Sequence, residues 1–206
     1  MRQLLGRKVG MTRIYDDSGN ETPVTVIEVQ PHVVIGRRTE SKNGYDAVVV
    51  GVGDDTRSRV PRQIAGQYPD GVDTKRVIRE LQVEDEYDVG QTIDATLFQP
   101  GDEVKVTGRT RGKGFAGVMK RHGFSGGPST HGSMNHRLPG SIGQSADPSR
   151  VFKGTRMGGR MGGGNTTVKG LRIVEVDAER NLLVISGSVP GWRGCLLTIT
   201  SDKRGK

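Results

Sequence analysis

Arg109, Arg111, Lys113, Lys120, Arg121, Arg137, Arg150, Lys153, Arg156 and Arg160 all fall in residues 107–165, a stretch whose sole acid is Asp147. Ten cations against one carboxylate give this stretch a net charge of +9, while the whole chain carries +8. The remaining residues therefore sum to −1. The chemistry available to such a cluster is recognition of a polyanion. A guanidinium binds phosphate through two parallel N–H donors and can stack on a base. The chain has no run of about 18 apolar residues, so a membrane span is not expected, and nucleic acid is the leading partner.

Three of the four histidines, His122, His131 and His136, lie in the same stretch. Beside phosphates, His131 and His136 could donate to an anion or stack on a base. Solvated loop histidines are the plainer alternative. No metal is expected: no cysteine is near, and the spacings fit no common ligand pattern. Catalysis by paired carboxylates is excluded within the stretch, because one acid cannot form a pair. Ser129 and His131 have no evident group to orient the imidazole. Residues 112–117 (GKGFAG) match GxGxxG and follow a strand-like EVKVT. Position 137, where a ribose-binding acid would stand, is Arg, and no βαβ pattern surrounds it. No hydroxyl follows Gly112-Lys113, so a Walker loop is also excluded. The expectation is a protein without cofactor or small-molecule substrate, and not an enzyme.

The elements that must carry this stretch are strands. Residues 22–29, 45–52, 75–81, 103–107, 171–176, 181–186 and 196–200 are rich in β-branched types. Hairpin turns are expected at Asp16-Asp17-Ser18-Gly19-Asn20 and at Asp177-Ala178-Glu179-Arg180. Acids elsewhere, Asp54, Asp55, Asp85 and Asp88, read as solubilising turn residues. Short helices are expected near 61–68 and 115–121. The fold class is mainly β: a small antiparallel barrel or pair of sheets, interrupted by a long basic, glycine-rich extension with little regular structure. The domains are 1–106 plus 166–206 for the globular part and 107–165 for the extension.

Half of the 32 glycines lie in the extension. They would let backbone N–H groups come close to phosphates. Arg156-Met157-Gly158-Gly159 repeats as Arg160-Met161-Gly162-Gly163, with arginine at a spacing that flexible linkers do not normally carry. The apolar residues are concentrated in the flanks, so the extension is expected to be disordered alone and to order on its partner. In 131–144 (HGSMNHRLPGSIGQ), Pro139 and its flanking glycines favour fixed turns. Lys8, Arg13, Arg37 and Arg38 could extend the cationic face or be scattered surface charge. Cys195 stands alone, which excludes an internal disulfide, suits a reducing cytosol and reads as a small buried hydrophobe. No secretory signal is evident at the N-terminus.

The run from Phe98 through Gly108, Gly112–Gly117 and Arg121 resembles the signature of the bacterial large-subunit ribosomal protein L-three family. The likeness continues through His131-Gly132, His136-Arg137, 139–144 (PGSIGQ), 150–154 (RVFKG) and Met157-Gly158-Gly159. Residues 5–12 (LGRKVGMT), 23–27 and 181–183 are similar to the family too. Lys105 stands where Asp or Asn is common, and His122 where many relatives have Trp. The resemblance implies a β-barrel of the translation-factor kind, with a long loop entering ribosomal RNA and approaching the peptidyl-transferase region. It also implies binding near the 3′ end of the large-subunit RNA, a part in early subunit assembly, neighbouring large-subunit proteins and a cytoplasmic, ribosomal location. In some bacteria the Gly-Gln glutamine is N-methylated, which by position would be Gln144, modified by a glutamine methyltransferase. Two other classes stay open from the residues alone: a free-standing RNA-binding chaperone, and an enzyme with a glycine-rich phosphate loop.

Overall fold

Residues 104–108 show how this sequence becomes sheet. Val104, Val106 and Gly108 are buried, and Lys105 and Thr107 between them are not. That two-residue period puts one face of the strand in a core and the other toward water. The computed structural model describes residues 2–16, 18–57, 60–69, 71–82 and 87–201. The strands are β1 (Gln3–Tyr15), β2 (Glu21–Glu28), β3 (His32–Arg38), β4 (Ala47–Asp54), β5 (Lys75–Leu81) and β6 (Thr92–Ile93). They continue with β7 (Glu103–Arg109), β8 (Phe115–Ala116), β9 (Gly159–Arg160), β10 (Asn165–Asp177), β11 (Leu182–Ser186) and β12 (Leu196–Ser201).

Six strands close a barrel in the order β1-β12-β7-β10-β11-β2, every neighbouring pair antiparallel. Closure leaves no unpaired edge to recruit another chain. The two longest strands each serve two neighbours. β1 pairs with β12 over Gln3–Arg7 and with β2 from Arg7 to Tyr15, with a register shift between Lys8 and Gly10. β10 pairs with β7 and then with β11, shifting register between Val168 and Leu171 and again between Ile173 and Glu175. Such bulges let a strand bend round a small barrel.

A second antiparallel sheet runs β5-β4-β3-β6. β4 is buried from Ala47 to Val52 on both faces, as its unbroken Ala-Val-Val-Val run demands. One apolar cluster joins the two sheets, from Leu4, Ile27, Val106, Ile173, Leu197 and Ile199 to Val34, Val50, Leu81 and Phe98. His32 is buried where they meet. Its Nε2 accepts the Leu5 backbone N–H at 2.8 Å, which places the ring proton on Nδ1. Burial pushes its pKa down to about 4, and the backbone groups of Gln30 and Ile93 oppose that shift only in part.

The chain divides into two compact units, Met1–Arg109 with Asn165–Lys206, and Thr110–Gly164. β7 runs on to Arg109 and β10 begins at Asn165, and these two residues are partners across the ladder. Thr107, Gly108, Arg109 and Asn165 are therefore wall residues of the barrel.

Several local expectations change. β1 and β3 were not legible as strands, because glycines and basic residues break the apolar alternation in 3–15 and 32–38. The helix expected over 61–68 is one turn, α2 (Arg62–Ala65), following the turn α1 (Glu40–Asn43). The one expected over 115–121 is α3 (Val118–His122), because Phe115 and Ala116 pair with β9 instead. In the first hairpin turn, Asp16 N–H donates to the Asn20 carbonyl at 3.1 Å, and Gly19 adopts φ +81°. Asp17 of that turn and Asp85 lie outside the described residues. Asp54 and Asp55 are not merely solvated: they pair with Lys75 and Arg57, which hold their carboxyls below the usual range.

Candidate nucleic-acid interface

Residues 110–164 begin as two legs joined by backbone hydrogen bonds. Thr110 N–H donates to the Gly164 carbonyl at 2.9 Å, and Gly163 N–H returns to the Thr110 carbonyl at 3.0 Å. Lys113 N–H donates to Met161 and Met161 N–H to Gly114, both at 2.9 Å. Phe115 and Ala116 then pair with Arg160 and Gly159. Sequence reading assigned the glycines here to approach by phosphates. Three of them serve the approach of the legs to each other. A Cβ on Gly162, which sits at φ +69°, would run into the Arg111 carbonyl. On Gly159 it would stand 2.6 Å from Arg121 Nη1, and on Gly158 3.3 Å from the Ala116 carbonyl. The Arg-Met-Gly-Gly repeat is thus a packing device as well as a source of charge. Gly112, Gly114 and Gly117 face open space.

The helical turn α3 is fastened to the returning leg at one point. Arg121 Nη1 donates to the Met157 carbonyl at 2.9 Å, and His122 Nε2 donates to the same oxygen at 3.0 Å. Gly123 closes the turn at φ +75°, its N–H on the Met119 carbonyl. Of residues 110–164 that are described, only Ala116 and Val118 are buried. This segment has no apolar core of its own.

Beyond α3 the backbone folds on itself without regular structure. The His136 ring donates through Nδ1 to the Pro128 carbonyl at 2.8 Å, because a carbonyl can only accept. Gly127 N–H donates back to the His136 carbonyl at 3.2 Å. A Cβ on Gly126 would clash with the His136 carbonyl, and one on Gly127 with the Asn135 carbonyl. His131 is exposed at φ 57°, held out on a turn. Gln144 is exposed, as are Arg137, Lys153 and Arg156. The Arg150 guanidinium lies 5.3 Å from the centroid of the Phe152 ring.

The electrostatics divide along the same line as the structure. Nine Lys or Arg and one acid lie in 110–164, a net charge of +8. That equals the charge of the entire chain, so the barrel unit sums to zero. Among the described residues, ion pairs are found in the barrel unit, such as Arg2–Asp102 and Arg180–Asp177, and none involves a cation of 110–164. Among the described residues, Arg111, Lys113, Lys120, Arg137, Arg150, Lys153, Arg156 and Arg160 have no carboxylate partner. Arg13 and Arg38 pair with Glu21 and Glu80. Lys8 donates to the carbonyls of Val189 and Gly191.

Sequence reading overlooked the apolar side chains of this surface. Phe115 is 82% exposed and Met134 92%, and Leu138, Ile142, Val151 and Phe152 are exposed as well. The signal was available: large apolar residues in a run with too few neighbours to bury them. Among the described residues, no three of His, Cys, Asp and Glu converge on a metal-sized site.

The fold defines a closed β-barrel protein that carries a cationic, glycine-rich hairpin extension. The family model for ribosomal protein L3 matches residues 74–182. The large ribosomal subunit protein uL3 of Borreliella burgdorferi strain ZS7 is 46% identical over 99% of this chain and 100% of its own. Its counterpart from Carboxydothermus hydrogenoformans is 48% identical over 98% of each chain. That from Thermotoga petrophila is 46% identical over the full length of both. This chain belongs to the ribosomal protein L3 family, a family of ribosomal proteins and not of enzymes.

Proposed function

We propose that this chain binds large-subunit ribosomal RNA through residues 110–164, with the barrel unit as its anchor. The observation that carries the reading is the segment of nine cations and one acid, none of the cations paired with a carboxylate among the described residues. Unpaired charge of one sign on a coreless segment creates a field that attracts and steers a partner of the other sign. Arg111, Lys113, Lys120, Arg137, Arg150, Lys153, Arg156 and Arg160 neutralise phosphates, and Arg109 contributes from the barrel wall. Arg121 has a divided role, since one nitrogen already braces the Met157 carbonyl. His136, with Nδ1 held by Pro128, presents Nε2 to RNA, and His131 does so from its exposed turn. Recognition is by shape, phosphate and 2′-hydroxyl more than by base edges.

The family resemblance extends the proposal. The site on the RNA lies near its 3′ end, binding occurs early in subunit assembly, and the tip of the extension approaches the peptidyl-transferase centre. Neighbouring large-subunit proteins contact the barrel unit. Gln144, which is exposed, is the acceptor for a glutamine methyltransferase.

Because Arg109 and Asn165 are ladder partners, residues 110–164 can be replaced by an Asn-Gly turn that closes the β7–β10 hairpin. This variant is expected to fold but to lose cosedimentation with ribosomal particles and most affinity for a large-subunit RNA transcript. Retention of full affinity, with unchanged sensitivity to KCl, would overturn the proposal.

A further inference from the structure

The chain's single tryptophan, Trp192, is 46% exposed on the barrel unit. Its loop is built to hold it still. The Lys8 ammonium donates to the Val189 carbonyl at 2.9 Å and to Gly191 at 3.4 Å, inside the turn. Gly194 N–H donates to the Lys8 carbonyl at 2.7 Å, and Lys8 N–H donates to the Cys195 carbonyl at 3.1 Å. Gly191 sits at φ +91°, where a Cβ would collide with Cys195 Sγ. A loop braced from within by a lysine, and carrying an indole left half in water, is the arrangement of a rigid binding anchor.

Trp192 lines a groove of about 540 Å³ with Arg79, Thr107, Arg109, Asn165 and Thr198. Small-molecule sites fall in the range of roughly 300–1,000 Å³. Among the described residues, the lining includes two arginines, hydroxyls and an amide, but no carboxylate. Arg79 has no carboxylate partner among the described residues. An aromatic face in one groove with two arginines suits a base joined to its phosphates.

We propose that this groove is a second RNA site, which takes one unpaired base on the Trp192 indole and the adjoining phosphates on Arg79 and Arg109. The inference rests on the RNA-binding reading above but concerns the barrel and not the extension. It gives the neutral unit a specific grip on RNA that does not depend on net charge.

Because Trp192 is the chain's one tryptophan, the fluorescence of the full-length protein reports on this groove alone. Titration with a transcript of the large-subunit RNA is expected to quench that emission saturably, in step with binding measured by filter retention. Trp192→Leu should weaken binding roughly 5- to 150-fold, the effect of losing one stacked base, while Trp192→Phe should keep most of the affinity. Arg79→Gln should lower the log–log salt slope by about 0.7–0.9, whereas Trp192→Leu should leave that slope unchanged. Thermal unfolding confirms that each variant is folded. Full RNA binding with unquenched Trp192, and no loss in Trp192→Leu, would overturn the second site and leave the extension's role standing. Loss of particle incorporation in Trp192→Leu with RNA affinity intact would assign the groove to a protein neighbour and overturn it too. Absence of any RNA binding would sink both readings.

Discussion

Gly108 on β7 and Leu197 on β12 are register partners, and the leucine occupies the space a side chain at 108 would need. A Cβ built there would stand 2.5 Å from Leu197 Cδ2 and 3.3 Å from Pro190 Cγ. Leu197 is partnered on its other side by Gly6 of β1, where a Cβ would collide with Ile27. A leucine between two glycines fills the barrel interior across three strands. Gly108→Ala is therefore expected to destabilise the barrel by about 1–3 kcal/mol through overpacking. Leu197→Ala alone should cost about 2–5 kcal/mol as a cavity. The double variant should cost less than the sum, because each change relieves the other. Urea unfolding of the four proteins measures this coupling, and strict additivity would contradict the geometry.

His32 makes stability depend on pH. Its folded pKa is about 4, while the unfolded value is about 6.5. Between those values the unfolded chain takes up a proton that the folded chain refuses. Stability is therefore full above pH about 6.5 and falls with acidification through the window, by roughly 3 kcal/mol in all. Urea midpoints measured from pH 7 to pH 4.5 should show this decline, and His32→Gln, less stable throughout, should lack this component of it. Identical slopes in the two proteins would show that His32 does not titrate as described.

The salt dependence of RNA affinity counts the phosphates met by the extension. If roughly eight of its cations release counterions, the log–log slope should lie near −5 to −7. Each of Arg150→Gln, Lys153→Gln and Arg156→Gln should make it shallower by about 0.7–0.9. A slope near −1 for the unaltered chain would rule out the electrostatic mechanism.

Gly159→Ala should act on the legs without changing charge. The added methyl displaces the Arg121 guanidinium, which donates to the Met157 carbonyl that α3 also holds through His122. RNA affinity should fall several-fold with the salt slope unchanged, since geometry and not charge is altered. Arg121→Gln should lower affinity and slope together. A Gly159→Ala protein that binds as tightly as its parent would show that the brace is dispensable.

Amide exchange in the RNA-free protein should divide the extension. Residues 110–116 and 159–164 are joined leg to leg by backbone hydrogen bonds and should be measurably protected. Among the described residues, no backbone–backbone bond involves 137–150, so these amides should exchange at near-coil rates until RNA covers them. Protection throughout 137–150 in the free protein would contradict an extension that waits for its partner.

The charge segregation, the coreless character of the extension and seven of the strand positions were legible in the sequence. Each is a local property: a count of charges, a density of apolar residues, or the two-residue alternation of Val104, Val106 and Gly108. Strands β1 and β3 were hidden because Gly6, Gly10 and Gly36 interrupt their pattern. Those glycines make sense only beside strands distant in the chain or at bends. Tertiary structure alone closed the six strands into a ring and placed His32 on the Leu5 amide. It also set Arg121, Gly159 and Gly162 against the neighbouring leg and placed Trp192 in a groove with Arg79. The physical reason is the range of the forces. Charge and hydrophobic period act between near neighbours and are written into consecutive letters. Which cation is internally spent, and which glycine must lack a side chain, depends on atoms brought within a few ångströms by folding.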